Sequence, residues 1–386
     1  MKINARKLAL RILDEIDYTN DFSHLVVSKT FAKYEIESND RRFISHIVFG
    51  VLENKYLLDY YIRKLSAQRF SRIHHSVINI LRMGLYQLSF MTKIPDSAAV
   101  DECVKLAKNI SVKDASFVNG ILRNFIRSDK SIELPNRKQH LVTHMSIKYS
   151  FPEWLVQMWL DEYGVAFTEA LLTHSNMTPQ LSLRINDGLI TRDAFMAQLV
   201  DMGITCKPSE LVETGILISD LNHLSINELP GFNEGLFAIQ DVSSMMVAEK
   251  AGIKENMTIL DVCAAPGGKA THAAQLMKHT GRVIARDVQE SKLDLIKENV
   301  LRLKLNNVEV ELYDAMILDE RLVGQADVVL VDAPCSGLGI IRRKPDIKYN
   351  KSKESLDALV EIQRQILETS AQYVKDHGVL MYSTCT

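Results

Sequence analysis

The chain contains no uninterrupted apolar run of the roughly eighteen residues that a membrane-spanning helix needs. Its N-terminus, MKINARKLALRILDEIDY, interleaves charges with apolar residues, unlike the basic start and unbroken apolar stretch of a signal peptide. Cysteine is scarce: Cys103, Cys206, Cys263, Cys335 and Cys385 form an odd set of five without a CxxC pair. That spacing argues against a disulfide framework and a zinc site, and favours a reducing compartment. Histidine supplies no HxxxH and no Cys/His ligand set, so no metal is expected. His74 and His75 are neighbours, expected to point apart on a helix. These absences set the expectation of a cytoplasmic chain that needs no membrane.

What is present belongs to a globular protein. The 386 residues are 46% hydrophobic and 24% charged, outside disordered or collagen-like composition and long enough for two or three domains. Net charge is nearly balanced at −2, yet residues 1–150 sum to +9 and residues 151–386 to −11. Such asymmetry is a prior for an anionic partner at one end.

Periodicity divides the chain further. Ala9, Ile12, Leu13 and Ile16 recur at helical spacing, as do Val118, Ile121, Leu122 and Phe125, with Ile78, Leu81, Leu85 and Leu88 between them. Residues 1–145 are expected to be all-α. Residues 146–235 read as a helical linker, with a helix around Trp154–Leu160, followed by a small α+β module: strands at Leu181–Ile185 and Gly215–Ser219 flank a helix at Thr191–Met202. From 236 to 386, short apolar runs alternate with helical stretches: Thr258–Val262, Arg282–Asp287, Val308–Leu312, Ala326–Asp332 and Gly378–Ser383. Five strands separated by helices predict an α/β, Rossmann-like, doubly wound parallel sheet. Ligands of such sheets bind at the carboxyl ends of the strands.

Asp261-Val-Cys-Ala-Ala-Pro-Gly-Gly-Lys269 follows the first of these strands. Gly267 and Gly268 permit close backbone approach where a helix starts, but the stretch is neither a Walker A loop nor GxGxxG, which favours a nucleoside-type cofactor without a pyrophosphate. Asp287 ends the second strand, at an offset suited to ribose hydroxyls, and Asp314 follows the third. The fourth strand ends in Asp332-Ala-Pro-Cys-Ser-Gly337 and the fifth in Ser383-Thr-Cys385. Two thiols at neighbouring strand ends beside a carboxylate read as nucleophile and partner thiol. Cys103 and Cys206 read as small buried hydrophobes. Arg342, Arg343, Lys344, Lys348, Lys351 and Lys353, with Tyr349 among them, form a basic strip on an otherwise acidic half. Phosphate contacts, and a base stacked on Tyr349, are the expectation. Arg286 is out of pattern in a strand expected to be buried.

These motifs, with Arg342-Arg-Lys-Pro-Asp346, resemble those of the RNA cytosine-5 methyltransferases. Asp40-Arg-Arg-Phe-Ile, Leu57-Leu-Asp59 and Val118-Asn-Gly-Ile-Leu-Arg-Asn124 resemble a helical NusB-type RNA-binding domain. Their order is similar to that of the bacterial small-subunit ribosomal RNA methyltransferase B (Sun/Fmu) family, across nearly the whole chain. The resemblance implies S-adenosylmethionine as cofactor, held by Cys263, Ala264, Ala265, Pro266, Gly267, Gly268, Lys269, Asp287, Asp314 and Asp332. It implies Cys385 as the nucleophile at C6 of a cytosine, Asp332 at the N3/N4 edge, and Cys335 in release. The implied partner is small-subunit ribosomal RNA with a single-stranded or flipped cytosine. Transfer RNA as substrate, and a non-catalytic RNA-binding or ribosome-assembly role, stand as alternatives. A monomer is expected, although these residues leave the oligomeric state open. Methyltransferases of this fold continue beyond the fifth strand, so the sheet is expected to lack its last edge.

Overall fold

A computed structural model describes residues 4–19, 21–221, 224 and 226–386. The chain forms two compact units, residues 1–178 with 338–351, and residues 179–337 with 352–386. The first is helical. Its elements are α1 (Ala5–Thr19), α2 (Ser23–Lys33), α3 (Ser38–Glu53), α4 (Lys55–Leu65), α5 (His75–Phe90), α6 (Asp96–Lys108), α7 (Val112–Arg127), α8 (Leu141–Tyr149) and α9 (Glu153–Ser175). The predicted stripes are the buried faces of α1 and α7. Ser111 caps α7 by accepting the Asp114 N–H, satisfying one of the free donors at a helix start.

Helix α5 is buried continuously from Val77 to Leu88, so its single expected stripe understates its position at the centre of the unit. Arg82 tolerates that burial because its guanidinium grips Asp59 at 2.7 and 2.9 Å and Asp17 at 3.1 Å. Gly50 on α3 is required there by the ring of Tyr86, which occupies the space a Cβ would need. His74 and His75 do not diverge: their rings lie 4.5 Å apart, because His74 is the non-helical N-cap of α5. Helix α9 runs further than expected, with a break at Gly164, whose φ of 73° is left-handed.

The second unit begins with β1 (Leu181–Ile185), α10 (Arg192–Asp201), β2 (Thr205–Pro208), β3 (Gly215–Asp220) and β4 (Phe237–Ile239). The four strands form an antiparallel sheet in the order β2-β3-β1-β4. Strand β1 is buried on both faces, since Ser182 and Arg184 are buried as well as Leu183 and Ile185. The Arg184 guanidinium hydrogen-bonds Gln240, the Gly268 carbonyl and Thr271, which closes that face.

The rest of the unit comprises α11 (Val242–Lys250), β5 (Thr258–Asp261), α12 (Gly268–Leu276), β6 (Arg282–Asp287), α13 (Glu290–Arg302), β7 (Val308–Leu312), β8 (Ala326–Asp332), α14 (Lys353–Ala371) and β9 (Val374–Ser383). Its sheet is parallel throughout, in the order β7-β6-β5-β8-β9. The strand order reverses between β5 and β8, the switch point where such sheets bind ligands. Arg286 sits within β6 at 2% exposure because Glu311 and Asp319 pair with it at 2.7 and 2.6 Å and Tyr313 lies under its guanidinium. Buried charge is tolerable when paired in this way. Among the described residues, no helix is long and apolar enough to cross a membrane.

The compact units do not follow chain order throughout 236–386. Leu338–Lys351 packs within the helical unit.

Candidate active site

Strand β5 delivers Asp261 to the switch point, fully buried. Neither carboxylate oxygen meets hydrogen-bond geometry with a described group, although the Cys263 N–H lies close enough to favour the anion. Burial pushes this carboxyl up to about 7, against the pull of Lys269. An unsatisfied buried acid at a strand end is costly.

The following loop is tightly tied. Ala264 donates its N–H to the Arg286 carbonyl at 2.7 Å, Ala265 to Asp287 Oδ2 at 3.3 Å, and Gly267 to the Ala264 carbonyl at 2.6 Å. The Ala265–Pro266 peptide is cis. Gly267, at φ 100°, makes the turn into α12, where other residues would be strained. Cys263 is half-buried and its thiol is pushed up to about 12 by burial, which makes it a poor nucleophile. Asp287 also accepts the Gln289 N–H at 3.1 Å, and half-buried Asp314 accepts that of Met316 at 2.9 Å.

Strands β8 and β9 bring Asp332, Cys335 and Cys385 together. Their register pairs Asp332 with Ser383, and the Ala333 N–H donates to the Ser383 carbonyl. Asp332 accepts from Lys269 Nζ at 2.5 Å through one oxygen and from Ser383 Oγ at 2.9 Å through the other. The sulfurs of Cys335 and Cys385, fifty positions apart in sequence, lie 2.8 Å from one another and form no disulfide. The Cys385 N–H points at Cys335 Sγ at 3.3 Å, and Ser336 hydrogen-bonds Thr386 at 3.0 Å.

The hydrogen bond from Cys385 lowers the Cys335 thiol to about 5, helped by backbone N–H groups of Cys385 and Gly337 and by the Thr386 hydroxyl. That same bond raises Cys385, because a second negative charge would sit beside the first. The pair therefore favours a single thiolate.

Sequence reasoning placed Lys269 and Asp332 in the site but did not foresee their ion pair, nor the hydrogen bond from Ser383. Adjacency of β8 and β9 carries that information, and only the register of the folded sheet supplies it. Gln363 on α14, which holds the Pro334 carbonyl at 2.8 Å, had no signal at all.

The basic strip up to Lys351 belongs to the helical unit. Lys348 is 1% exposed; its ammonium bonds Asn176 Oδ1 at 2.5 Å and the Glu53 carbonyl at 3.2 Å, and stands over the Phe151 ring. Tyr349 donates to the Leu52 carbonyl at 2.7 Å and packs edge-on to Tyr56. Arg342 donates to the Thr178 carbonyl, and Lys344 sits over Phe22. Lys348 and Tyr349 thus serve interior packing, where phosphate and base contacts were expected. Arg342, Arg343 and Lys344 are part-exposed.

A parallel sheet in this order, with a glycine turn into a helix after β5 and acids at the ends of the strands beside it, defines an S-adenosylmethionine-dependent methyltransferase. Family models agree. Residues 251–386 match "16S rRNA methyltransferase RsmB/F", residues 3–127 match the NusB family, and residues 151–223 match the ferredoxin-like domain of RsmF/B-like methyltransferases. A Bacillus subtilis protein named probable ribosomal RNA small subunit methyltransferase B is 39% identical over 100% of this chain and 85% of its own length. The Pectobacterium carotovorum ribosomal RNA small subunit methyltransferase B is 30% identical over 99% and 86%. Among solved structures, a methyltransferase homologue from Pyrococcus horikoshii covers 63% of this chain and 76% of its own, with TM-score 0.57 and 26% identity. The crystal structure of PH0851 covers 100% and 87% with TM-score 0.81 at 24% identity, a likeness of fold. The chain belongs to the ribosomal RNA small subunit methyltransferase B family.

Proposed function

We propose that the protein methylates C5 of a cytosine in small-subunit, 16S-type ribosomal RNA through a covalent bond between Cys385 and C6. The observation that carries this reading is the pair of sulfurs at 2.8 Å beside Asp332, at the ends of adjacent strands. C5 of cytosine is a poor nucleophile, and addition of a thiolate at C6 makes it an enamine carbon able to accept a methyl group.

Cys335 is an adjacent acceptor for the Cys385 proton. The Cys385 sulfur bonds to C6 while the C5–C6 π electrons move to C4–C5 and the C4–N3 π electrons to N3, which takes a proton from solvent; the Asp332 carboxylate then accepts hydrogen bonds from N3–H and the N4 amino group and stabilises that protonated edge. Lys269 and Ser383 hold Asp332 in place for that contact. S-adenosylmethionine supplies an electrophilic methyl group. Cys335, once it has passed the Cys385 proton to solvent, takes the C5 proton as a thiolate; that C–H electron pair restores C5–C6, N3 gives up its proton, and the Cys385 sulfur leaves as thiolate, the release step assigned to Cys335.

The loop Cys263, Ala264, Ala265, Pro266, Gly267, Gly268 and Lys269, with Asp287, Asp314 and Asp332, is proposed to hold the cofactor. The unpartnered oxygens of Asp261 support this, since a cationic or hydroxyl-bearing ligand supplies the donors they lack. Arg342, Arg343 and Lys344 are the residues of the basic strip proposed to meet phosphate.

The test incubates the protein with methyl-labelled S-adenosylmethionine and, in parallel, small-subunit RNA or transfer RNA, then maps 5-methylcytosine. One modified cytosine in wild type and none in Cys385→Ala is the expected result. Label elsewhere than C5 of cytosine, or in transfer RNA alone, overturns the reading. Cys335→Ala is expected to stay covalently bound to ordinary RNA, and free turnover of that variant removes Cys335 from release.

A further inference from the structure

Between Asp59 and Asp96 the chain carries no acidic residue, yet it holds Arg63, Lys64, Arg69, Arg72, Arg82 and Lys93 together with His74 and His75. Arg82 is spent inside the helical unit on Asp59 and Asp17. Arg63, Lys64, Arg69, Arg72, His74 and His75 are all exposed, on the last turn of α4 and the connector to α5. None of the four Lys and Arg side chains among them forms an ion pair with a described residue. By contrast, Lys55, Lys105, Lys130 and Lys148 of the same unit are each paired to a carboxylate.

The connector is built, not loose. Ile73 is buried beneath it, Gln68 Nε2 donates to the Arg72 carbonyl at 2.9 Å, and residues Phe70–Arg72 form a short 3-10 turn. The Arg63 guanidinium lies 4.1 Å above the Phe70 ring, which holds one cation at the elbow in a fixed position.

Arg63 also lines a cleft of about 360 Å³ with Tyr56, Tyr60, Ser146 and Glu153. Two tyrosines wall it, and Glu153, exposed at its edge, is an acceptor for an exocyclic amine. The volume accommodates one nucleobase with its sugar. A cationic rail leading to an aromatic-walled cleft is the combination by which proteins hold single-stranded nucleic acid: phosphates on the cations, a base against an aromatic ring.

We propose that the elbow Arg63–His75 and the adjoining cleft are an RNA-docking surface. Arg63, Arg69 and Arg72 take successive phosphates, and an unpaired base lies in the cleft against Tyr60. The proposal rests on the RNA-methyltransferase reading and deepens it by naming which face of the helical unit holds the substrate. It adds to the phosphate contacts proposed for Arg342, Arg343 and Lys344, since Lys348 and Tyr349 of that strip are engaged in packing.

The experiment measures binding of in vitro transcribed small-subunit ribosomal RNA to the full chain across a salt series, for wild type, Arg69→Glu/Arg72→Glu, Tyr60→Ala, and the control Lys29→Glu/Lys33→Glu on α2. Loss of two phosphate contacts is expected to weaken binding at least tenfold at low salt and to flatten the log–log salt slope by about 1.5. Loss of a stacked base in Tyr60→Ala is expected to weaken binding about tenfold with the slope unchanged. The control is expected to shift affinity less than threefold, and S-adenosylmethionine binding, read by calorimetry, should be equal in all four, showing that each is folded. Equal losses in the elbow and control variants, or an unchanged affinity in the elbow variant, overturn the proposal and leave the elbow to an acidic protein partner. Wild-type methyl transfer to the same RNA is scored in parallel. Its absence alongside elbow-dependent binding defeats the function and not the surface, whereas its presence with elbow-independent binding defeats the surface alone.

Discussion

The ends of β5 and β8 carry one aspartate each, side by side on the same sheet, and the fold treats them in opposite ways. Asp261 is fully buried with both oxygens unsatisfied, whereas Asp332 is partly exposed with each oxygen already holding a donor. A carboxylate left without donors is stabilised when a ligand brings them, so it suits binding. A carboxylate fixed by a lysine and a serine is pre-positioned, and pre-positioned charge acts on the transition state. On the proposed reading the two loops divide the work, with the loop after β5 holding the cofactor and those after β8 and β9 performing the chemistry.

Asp332→Asn should break the reaction side of that contrast most severely. The rate of methyl transfer at saturating cofactor is expected to fall by about 10²–10³, in line with loss of one preorganised electrostatic contact. A rate within threefold of wild type would erase the distinction.

Asp261→Asn should instead act on binding. Removing a charged acceptor costs about 1.5–3 kcal/mol, so cofactor affinity measured by calorimetry is expected to fall roughly ten- to a hundredfold. Stability should move the other way. The Asp261 carboxyl is raised to about 7 in the fold, so the folded state binds more protons than the unfolded one between the ordinary carboxylate range and pH 7. Its contribution to stability is therefore lost as pH rises through that window. The asparagine variant should melt higher than wild type at pH 8 and lose this pH dependence.

The thiols sharpen the same comparison. Site-resolved alkylation of Cys335 should have its midpoint near pH 5, because the bond from Cys385 lowers that thiol. In Cys385→Ala the midpoint should move up toward the ordinary thiol value of about 8.5. Cys263, on the binding side, should resist alkylation throughout.

Lys348→Met should have the smallest effect. Burial depresses this ammonium to about 7, so the unfolded chain binds more protons from there to about pH 10.4 and wild-type stability rises with pH across that range. The methionine variant should flatten that rise in a urea-melt series while RNA affinity stays within twofold. A tenfold loss of affinity would restore Lys348 to the RNA-contacting strip.

The regular repeats were the legible part of the fold. Four of the five parallel strands began and ended within one residue of their apolar runs: β5, β6 and β8 are buried on both faces and leave a nearly continuous apolar pattern, while the edge strand β7 alternates valine with glutamate. The fifth was longer than expected at its start. Arg184, Arg286 and Lys348 were the opposite case. Each is a long cation whose burial depends on partners distant in sequence: Thr271 for Arg184, Asp319 for Arg286 and Asn176 for Lys348. Local pattern marks such residues as surface. The site residues were legible as a set at strand ends, but the contact between Cys335 and Cys385 depends on the β8–β9 register, which no local pattern contains.

The most direct test of the account uses small-subunit RNA carrying 5-fluorocytosine, whose C5 cannot lose its substituent as a proton and so arrests the reaction before release. Incubated with S-adenosylmethionine, the protein should form a stable RNA adduct, and digestion with mass spectrometry should place the nucleotide on Cys385. An adduct on Cys335, or none at all when unmodified RNA is methylated by the same preparation, would contradict the assignment of Cys385 as nucleophile.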